Sequence, residues 1–408
     1  MPLDGLIPAL ARAQSVDKAL SFANRSADFS LVDGLNAPLL AALLARSKTP
    51  RAALAITATS RESESLRRAM ASYLPNATIV EFPAWETLPH ERLSPSAETV
   101  GKRIAALRGI RRWNVERDAH FVLVASVRAA LQPLADNLMS IEPVVLEQGA
   151  RGYDLAKLSA RLVDLAYSRV DMVTRRGEFA VRGGILDVFA PTDEHPLRLE
   201  FFGDELEQLR AFSVADQRSL PEPIARAELA PSRELLLSEP VRQRAREMQH
   251  EFPSLSTMLA KIGEGIPVEG MESLAPALLD RLVPLTHYLP ADAAIAVISP
   301  EKVATRAVNL ADTNREFLAA AWNSATAGAE APIDLDAGDF VTMAGLRAAA
   351  GDRPWWTFSA FDSADESDDY VRIDARQVPS FAGQPDGALE HVAELLGQAF
   401  TVVVAAQG

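Results

Sequence analysis

The sequence predicts an α/β protein in three parts: a parallel-sheet lobe, a small α+β domain with an antiparallel sheet inserted into it, and the start of a further α/β domain. Three observations predict this. Over residues 28–140 short β-rich runs alternate with helical stretches, as strands do when laid parallel under helices on both faces. From 145 to about 225 the texture changes to strands punctuated by glycine turns. After about 228 helices return around an apolar strand, "AAIAVIS" (293–299).

Taken in order, the first-lobe strands are "DFSLVDG", "RAALAITAT", "ATIVEFP" and "HFVLVAS", separated by "APLLAALLARS", "RESESLRRAMASYL" and "SPSAETVGKRIAALRGIRRW". Ser94 before Pro95 predicts a capped helix start. In "DLAKLSARLVDLAYSRV", Leu155, Leu158, Leu162 and Leu165 share one helical face. Gly183-Gly184 and Gly203-Asp204 read as hairpin tips. "SEPVRQRAREMQHEF" and "EKVATRAVNLADTNREFLAAAW" are helices; the acidic stretch 361–387, rich in Ser, Pro and Gly, reads as a connector. A helix over about 387–398 and a strand "FTVVVAAQG" follow, which suggests a domain cut short and a fragment of a longer protein.

Composition narrows the function classes. The chain has 408 residues, 48% hydrophobic and 24% charged, enough for two or three domains. Its apolar runs are too short to span a bilayer, and the N-terminus lacks the pattern of a signal peptide. The absence of cysteine removes disulfides and thiolate chemistry and fits a cytoplasmic protein. A formal net charge of −14 opposes general nucleic-acid binding. Positive charge between Lys157 and Lys261 is carried by arginine alone, a residue whose planar fork grips carboxylates at two points.

No motif supports catalysis. The first βα turn, "LVDGLNAPLLAALL" (31–44), has one glycine, Gly34, and over 34–41 neither the lysine nor the Ser/Thr that a phosphate loop needs. "DEHP" (193–196) matches an acidic magnesium box only in letters, because it lies in a turn with no nucleotide to serve. The six histidines show no metal spacing, so neither a metal nor a cofactor is expected. One doublet stands out: in "RLEFFGDE" (198–205), Phe201 is in step with Leu197 and Leu199, but Phe202 is in step with Arg198 and Glu200, on the polar side. An exposed aromatic near arginines has the make-up of an interface hot spot; a phenylalanine tucked under a neighbouring segment fits the pattern equally well.

Longer blocks resemble a known family. "FPAWETLPHERLSPSAETVGKRIAALRGI" (82–110) is similar to the corresponding stretch of the bacterial transcription-repair coupling factors, the Mfd family. "YSRVDMVTRRGEFAVRGGILDVFAP" (167–191) and "LRLEFFGDELEQLRAFSVADQRSL" (197–220) resemble the module that family shares with the excision-repair protein UvrB. "FVLVASVRAALQPL" (121–134) and "GMESLAPALLDRLVPLTHYLP" (270–290) also fit. The empty phosphate loop favours the coupling factors, since UvrB would show a GxxxxGKT-type loop.

The resemblance implies a degenerate helicase-like (RecA-type) lobe made of 1–144 and 228–360, interrupted by a UvrA-binding domain at 145–227. An acidic connector (361–378) and the start of a truncated next domain (379–408) would follow. It implies UvrA as partner through Arg182, Arg198 and Phe202, with Arg169, Arg176 and Glu200 as flanking residues. In full length it implies RNA polymerase and DNA as further partners, ATP-driven translocation through regions absent here, and masking of the inserted domain by distal domains. Two other readings stay open: a DNA-binding, helicase-like unit acting alone, and a purely structural or autoinhibitory domain.

Overall fold

The computed structural model describes residues 2–47, 49–88, 91–326, 340–362 and 367–404. The first strands are β1 (Ala27–Ser30), β2 (Ala52–Thr57), β3 (Thr78–Phe82) and β4 (Phe121–Ser126), followed by the short β5 (Leu134–Ala135) and β6 (Val144–Glu147). Next come β7 (Ser168–Arg169), β8 (Glu178–Arg182), β9 (Ile185–Val188), β10 (Leu197–Phe202), β11 (Glu205–Phe212) and β12 (Ser219–Pro223). The last are β13 (Arg226–Leu229), β14 (Leu282–Val283), β15 (Ala294–Ile298), β16 (Trp355–Ser359) and β17 (Tyr370–Arg372).

The expected α/β class holds. Seven strands form one sheet in the order β17-β1-β16-β15-β2-β4-β3, with every neighbouring pair parallel. Because both faces are covered, its central strands β2, β4 and β15 are buried at every position and almost wholly apolar. Leu54 and Ile56, Leu123, and Ile295 and Val297 enter the core on one face. Their neighbours Ala53 and Ala55, Val122 and Val124, and Ala294 and Ala296 enter the core on the other. The second face takes the helices Asn36–Ala45 and Ser60–Tyr73, the latter opened by a capping box between Thr59 and Glu62.

The insert begins and ends on one ladder. β6 and β13 run antiparallel, pairing Val144 with Leu229 and Glu147 with Arg226, so the incoming and outgoing chains leave the lobe side by side. Between them lies an antiparallel sheet in the order β12-β11-β10-β9-β8-β7, closed at the β7 edge by a short parallel pair. Its covered face packs Phe179, Leu186, Leu199 and Leu209 against Leu158, Leu162 and Leu165. The helix supplying these leucines, Leu155–Asp164, is capped by the Asp154 carboxylate on the N–H groups of Ala156 and Lys157. It is shorter than the sequence pattern predicts: Ala166 is left-handed (φ +63°), after which the chain pairs as strand β7.

Four other expectations need correction. The cap of helix Ala97–Glu116 is Ser96, whose hydroxyl accepts from Thr99 N–H. Ser94 is occupied elsewhere, donating to Glu272 and accepting from Gly270 N–H and Arg233. β16 lies where no strand was expected. Within the stretch 361–378 read as a connector, β17 adds an edge strand beside β1, with Val371 and Ile373 buried; residues 363–366 lie outside the described set. The predicted terminal strand is absent over 400–404, and 405–408 lie outside the described residues. Among the described residues no strand pairs with it, and the preceding helix Pro385–Gly397 buries none of its residues.

A polar seam joins insert to lobe. Glu234, just past β13, accepts from Arg103 Nε at 2.5 Å and from Trp85 Nε1 at 3.1 Å, with both charged side chains buried. Arg103 also donates to Pro83 O and stacks over the Phe82 ring. Around this pair lie Arg176–Glu98 (3.5 Å) and Arg108–Glu228 (3.2 Å). Gly101 faces Pro191 so closely that a Cβ there would sit 2.4 Å from the proline Cβ. Removing the acid strands a buried guanidinium, so Glu234→Ala should lower stability by about 3–5 kcal/mol in chemical denaturation. Charge-neutral packing of the pair, as in Arg103→Met with Glu234→Leu, should recover much of that loss.

Candidate functional site

The two hairpins of the insert bring their tips together. Arg182 pairs with Ile185 across Gly183-Gly184, and Phe202 pairs with Glu205 across Gly203-Asp204. Both turns need a left-handed first residue, which glycine supplies at φ +59° and +63°. Phe201 N–H donates to Gly184 O at 2.8 Å, locking one tip beside the other. A side chain at Gly184 would press its Cβ to 2.8 Å from Phe201 O.

This geometry resolves the phenylalanine doublet. Phe201 lies opposite Leu206 and turns toward the core, meeting the Tyr153 ring edge-on at 5.9 Å. The pairing skips Glu207, a bulge that keeps Phe201 and Leu206 on the covered face at the strand end. Phe202 points the other way and is 79% exposed. It is not tucked under any neighbouring segment.

The face turned away from the main core packs a small cluster of Val173, Ala180, Phe189 and Phe212 at one end and carries two rows set by register. Arg182, Ile185, Glu200 and Gln208 form one; Ala180, Asp187, Arg198 and Arg210 form the next. Asp187, which sequence reasoning missed, is buried at the centre of this face. Its carboxylate takes Arg198 in a two-point grip, Nε at 2.7 Å and Nη2 at 2.8 Å, and accepts Arg182 Nη2 at 2.6 Å. Arg198 lies over the Phe212 ring at 4.6 Å and donates its remaining nitrogen to Gln217 O, so it is only 16% exposed. The pairing with Asp187 holds its guanidinium pKa above the ordinary arginine value. Arg182 is 54% exposed.

The structure brings together Arg182, Arg198, Glu200 and the Phe202 hairpin. It does not bring the other two flanking residues to them. Arg176 belongs to the seam, donating to Asp193 O, facing Glu98 and stacking on Phe189. Arg169 lies on the edge strand β7, beside a groove of about 480 Å³ that it lines with Val163, Phe179 and Val181.

The loop at Gly34 lies at the carboxyl ends of the parallel strands, where sheets of this type place ligands. There Asp33–Leu35 make one tight turn and the helix Asn36–Ala45 starts at once, with Ala37 and Pro38 in its first turn. A cavity of about 360 Å³ opens beside it, and the lysine on its wall, Lys302, comes from the helix Pro300–Thr326 and faces Glu62 at 4.0 Å. Among the described residues no cluster of acids and histidines could hold a metal, and no helix is long and apolar enough to cross a membrane. Of the "WETLP" block, Trp85 is committed to the seam and Pro89 lies outside the described residues.

The doublet supplies a test of how the face is built. Phe202→Ala should change stability by no more than about 0.5 kcal/mol, as exposed positions do. Phe201→Ala should lower it by about 1–3 kcal/mol through lost apolar burial. Urea midpoints of the two variants decide the matter, and equal effects would contradict the assigned faces.

The UvrB interaction domain family matches residues 144–235, the stretch from β6 to just beyond β13. The chain is 43% identical over 406 residues to the transcription-repair-coupling factors of Mycobacterium tuberculosis and Mycobacterium bovis, covering 94% of this chain and 32% of each relative. It is 35% identical over 214 residues to that of Myxococcus xanthus, covering 50% of this chain and 17% of the relative. The chain thus spans about a third of the length of the curated relatives it matches most fully. The resemblance to these factors holds along nearly the whole chain, which is a relative of the transcription-repair-coupling factors and matches the UvrB interaction domain family over residues 144–235.

Proposed function

We propose that this chain is a non-catalytic module that recruits UvrA to nucleotide excision repair, docking it on the face of the insert turned away from its main core. One observation carries the reading: in the domain matched by the UvrB interaction family, a 79% exposed phenylalanine stands at a hairpin tip beside an exposed arginine. Exposed aromatic and arginine side chains on a rigid sheet are the usual anchors of protein interfaces. Arg182, Arg198 and Phe202 are the proposed docking residues, with Glu200 in the same row as Arg182.

The division into parts is proposed on the same footing: a lobe from 1–144 and 228–360, and a docking domain at 145–227. The lobe carries no nucleotide in this reading, because the turn at Gly34 leads into alanine and proline where a phosphate loop places lysine and a hydroxyl. In the whole protein, ATP-driven translocation on DNA displaces a stalled RNA polymerase, other domains mask the docking face until it is needed, and the site of action is the cytoplasm.

Calorimetric titration of the chain with purified UvrA tests the proposal. Binding by the unaltered chain should weaken by about 2 kcal/mol or more in Phe202→Ala and in Arg182→Glu, with circular dichroism unchanged. Undiminished binding in both variants would move the interface elsewhere on the insert. No binding by the folded chain, or ATP turnover accompanied by salt-sensitive DNA binding, would favour the structural or helicase-like reading instead.

A further inference from the structure

We propose that Asp187 is the positioning residue of this docking face, its single buried carboxylate setting Arg182 and Arg198 in place beside the Phe202 hairpin. The inference rests on the docking reading and assigns a role to a residue that the comparison with relatives does not single out.

The argument begins with register. Asp187 sits on the central strand β9, directly opposite Arg198 on β10 and Ala180 on β8. From that position an aspartate reaches the arginine across the strand and the one at the tip of its own hairpin. Both oxygens are used, Oδ1 by Arg198 Nε and Oδ2 jointly by Arg198 Nη2 and Arg182 Nη2. The Arg198 end is rigid, fixed from below by the Phe212 ring and from the side by Gln217 O. Asp187 therefore passes a fixed geometry to Arg182.

Two further features favour a positioning role over stability alone. A buried acid between arginines is a weak stabilising device, since desolvation offsets most of the attraction, and apolar packing would serve a purely structural strand as well. The clasp also leaves charge over: two guanidinium groups share one carboxylate. Among the described residues, only Nη2 of Arg182 has a partner, which leaves its Nε–H, its Nη1–H groups and the second hydrogen on Nη2 to donate to a carboxylate of the incoming protein. Arg182 is thus tethered at one nitrogen and open at the others.

The test is a double-mutant cycle on the full chain, titrated with purified UvrA. Asp187→Asn keeps the size and one acceptor oxygen of the side chain while removing its charge, and should weaken binding about tenfold. In that background Arg182→Ala should cost little more, whereas Phe202→Ala should keep its full effect, because it removes apolar area and no charge. Effects of Asp187→Asn and Arg182→Ala that multiply, or wild-type affinity in Asp187→Asn, would overturn the proposal. If Asp187→Asn fails to fold, Asp187→Glu takes its place: it keeps the charge but, one methylene longer, cannot hold both arginines in the same geometry. Binding should again weaken and Arg182→Ala should again add little, and wild-type affinity would overturn the proposal. NMR of the arginine side chains reads the clasp without any partner: rotation of both guanidinium groups should be restricted in the unaltered chain and released in Asp187→Asn. Unchanged rotation sinks the positioning role. Restricted rotation in a chain that does not bind UvrA sinks the docking reading and, with it, the use of the clasp in docking.

Discussion

Much of this molecule depends on one buried ion pair. Arg103 comes from a helix of the lobe and Glu234 from the segment leaving the insert, and they meet where neither reaches water. Such a pair contributes little net stability but is demanding in geometry, because either charge alone in that place is costly. Trp85 donates to the same carboxylate and the Pro83 carbonyl accepts from Arg103 Nη1, while Arg103 Nη2 stays buried without a partner, so lobe, approach segment and insert meet at one geometrically exacting point. The face that carries Arg182, Arg198 and Phe202 is oriented by this seam as much as it is formed by its own strands.

Two aromatic doublets show how the same sequence pattern takes opposite meanings from its surroundings. Trp355 and Trp356 stand side by side in β16, and each enters a core, one on either face of the parallel sheet. Phe201 and Phe202 stand side by side in β10, but that sheet has one main core, so the second ring remains in water. A doublet is unremarkable in a doubly covered strand. In a singly covered one it leaves a large apolar ring exposed to water.

Legibility in the sequence followed the range of the interactions involved. The parallel strands, the hairpin glycines and the leucine face of Leu155–Asp164 depend on near neighbours, and period and turn chemistry reveal them. Phe202 was visible because one residue breaks a strict alternation. Asp187 was not, because its importance comes from facing Arg198 across strands, a fact of register that no local pattern contains. β17 hid in an acidic stretch for the same reason: only the open edge of β1 makes a strand of "YVR". Ser94 had the chemistry of a helix cap, but a distant glutamate and arginine claimed its hydroxyl.

The ladder of β6 and β13 has a mechanical side. Its two strands lie next to each other, so tension along the backbone between the two halves of the lobe can cross from Val144–Glu147 to Arg226–Leu229 over a few hydrogen bonds. The sheet bearing Phe202 then hangs off the load path as a closed loop. Pulling on the lobe would leave that face undistorted until the ladder itself gives way, so the insert can keep its shape while its mount is strained.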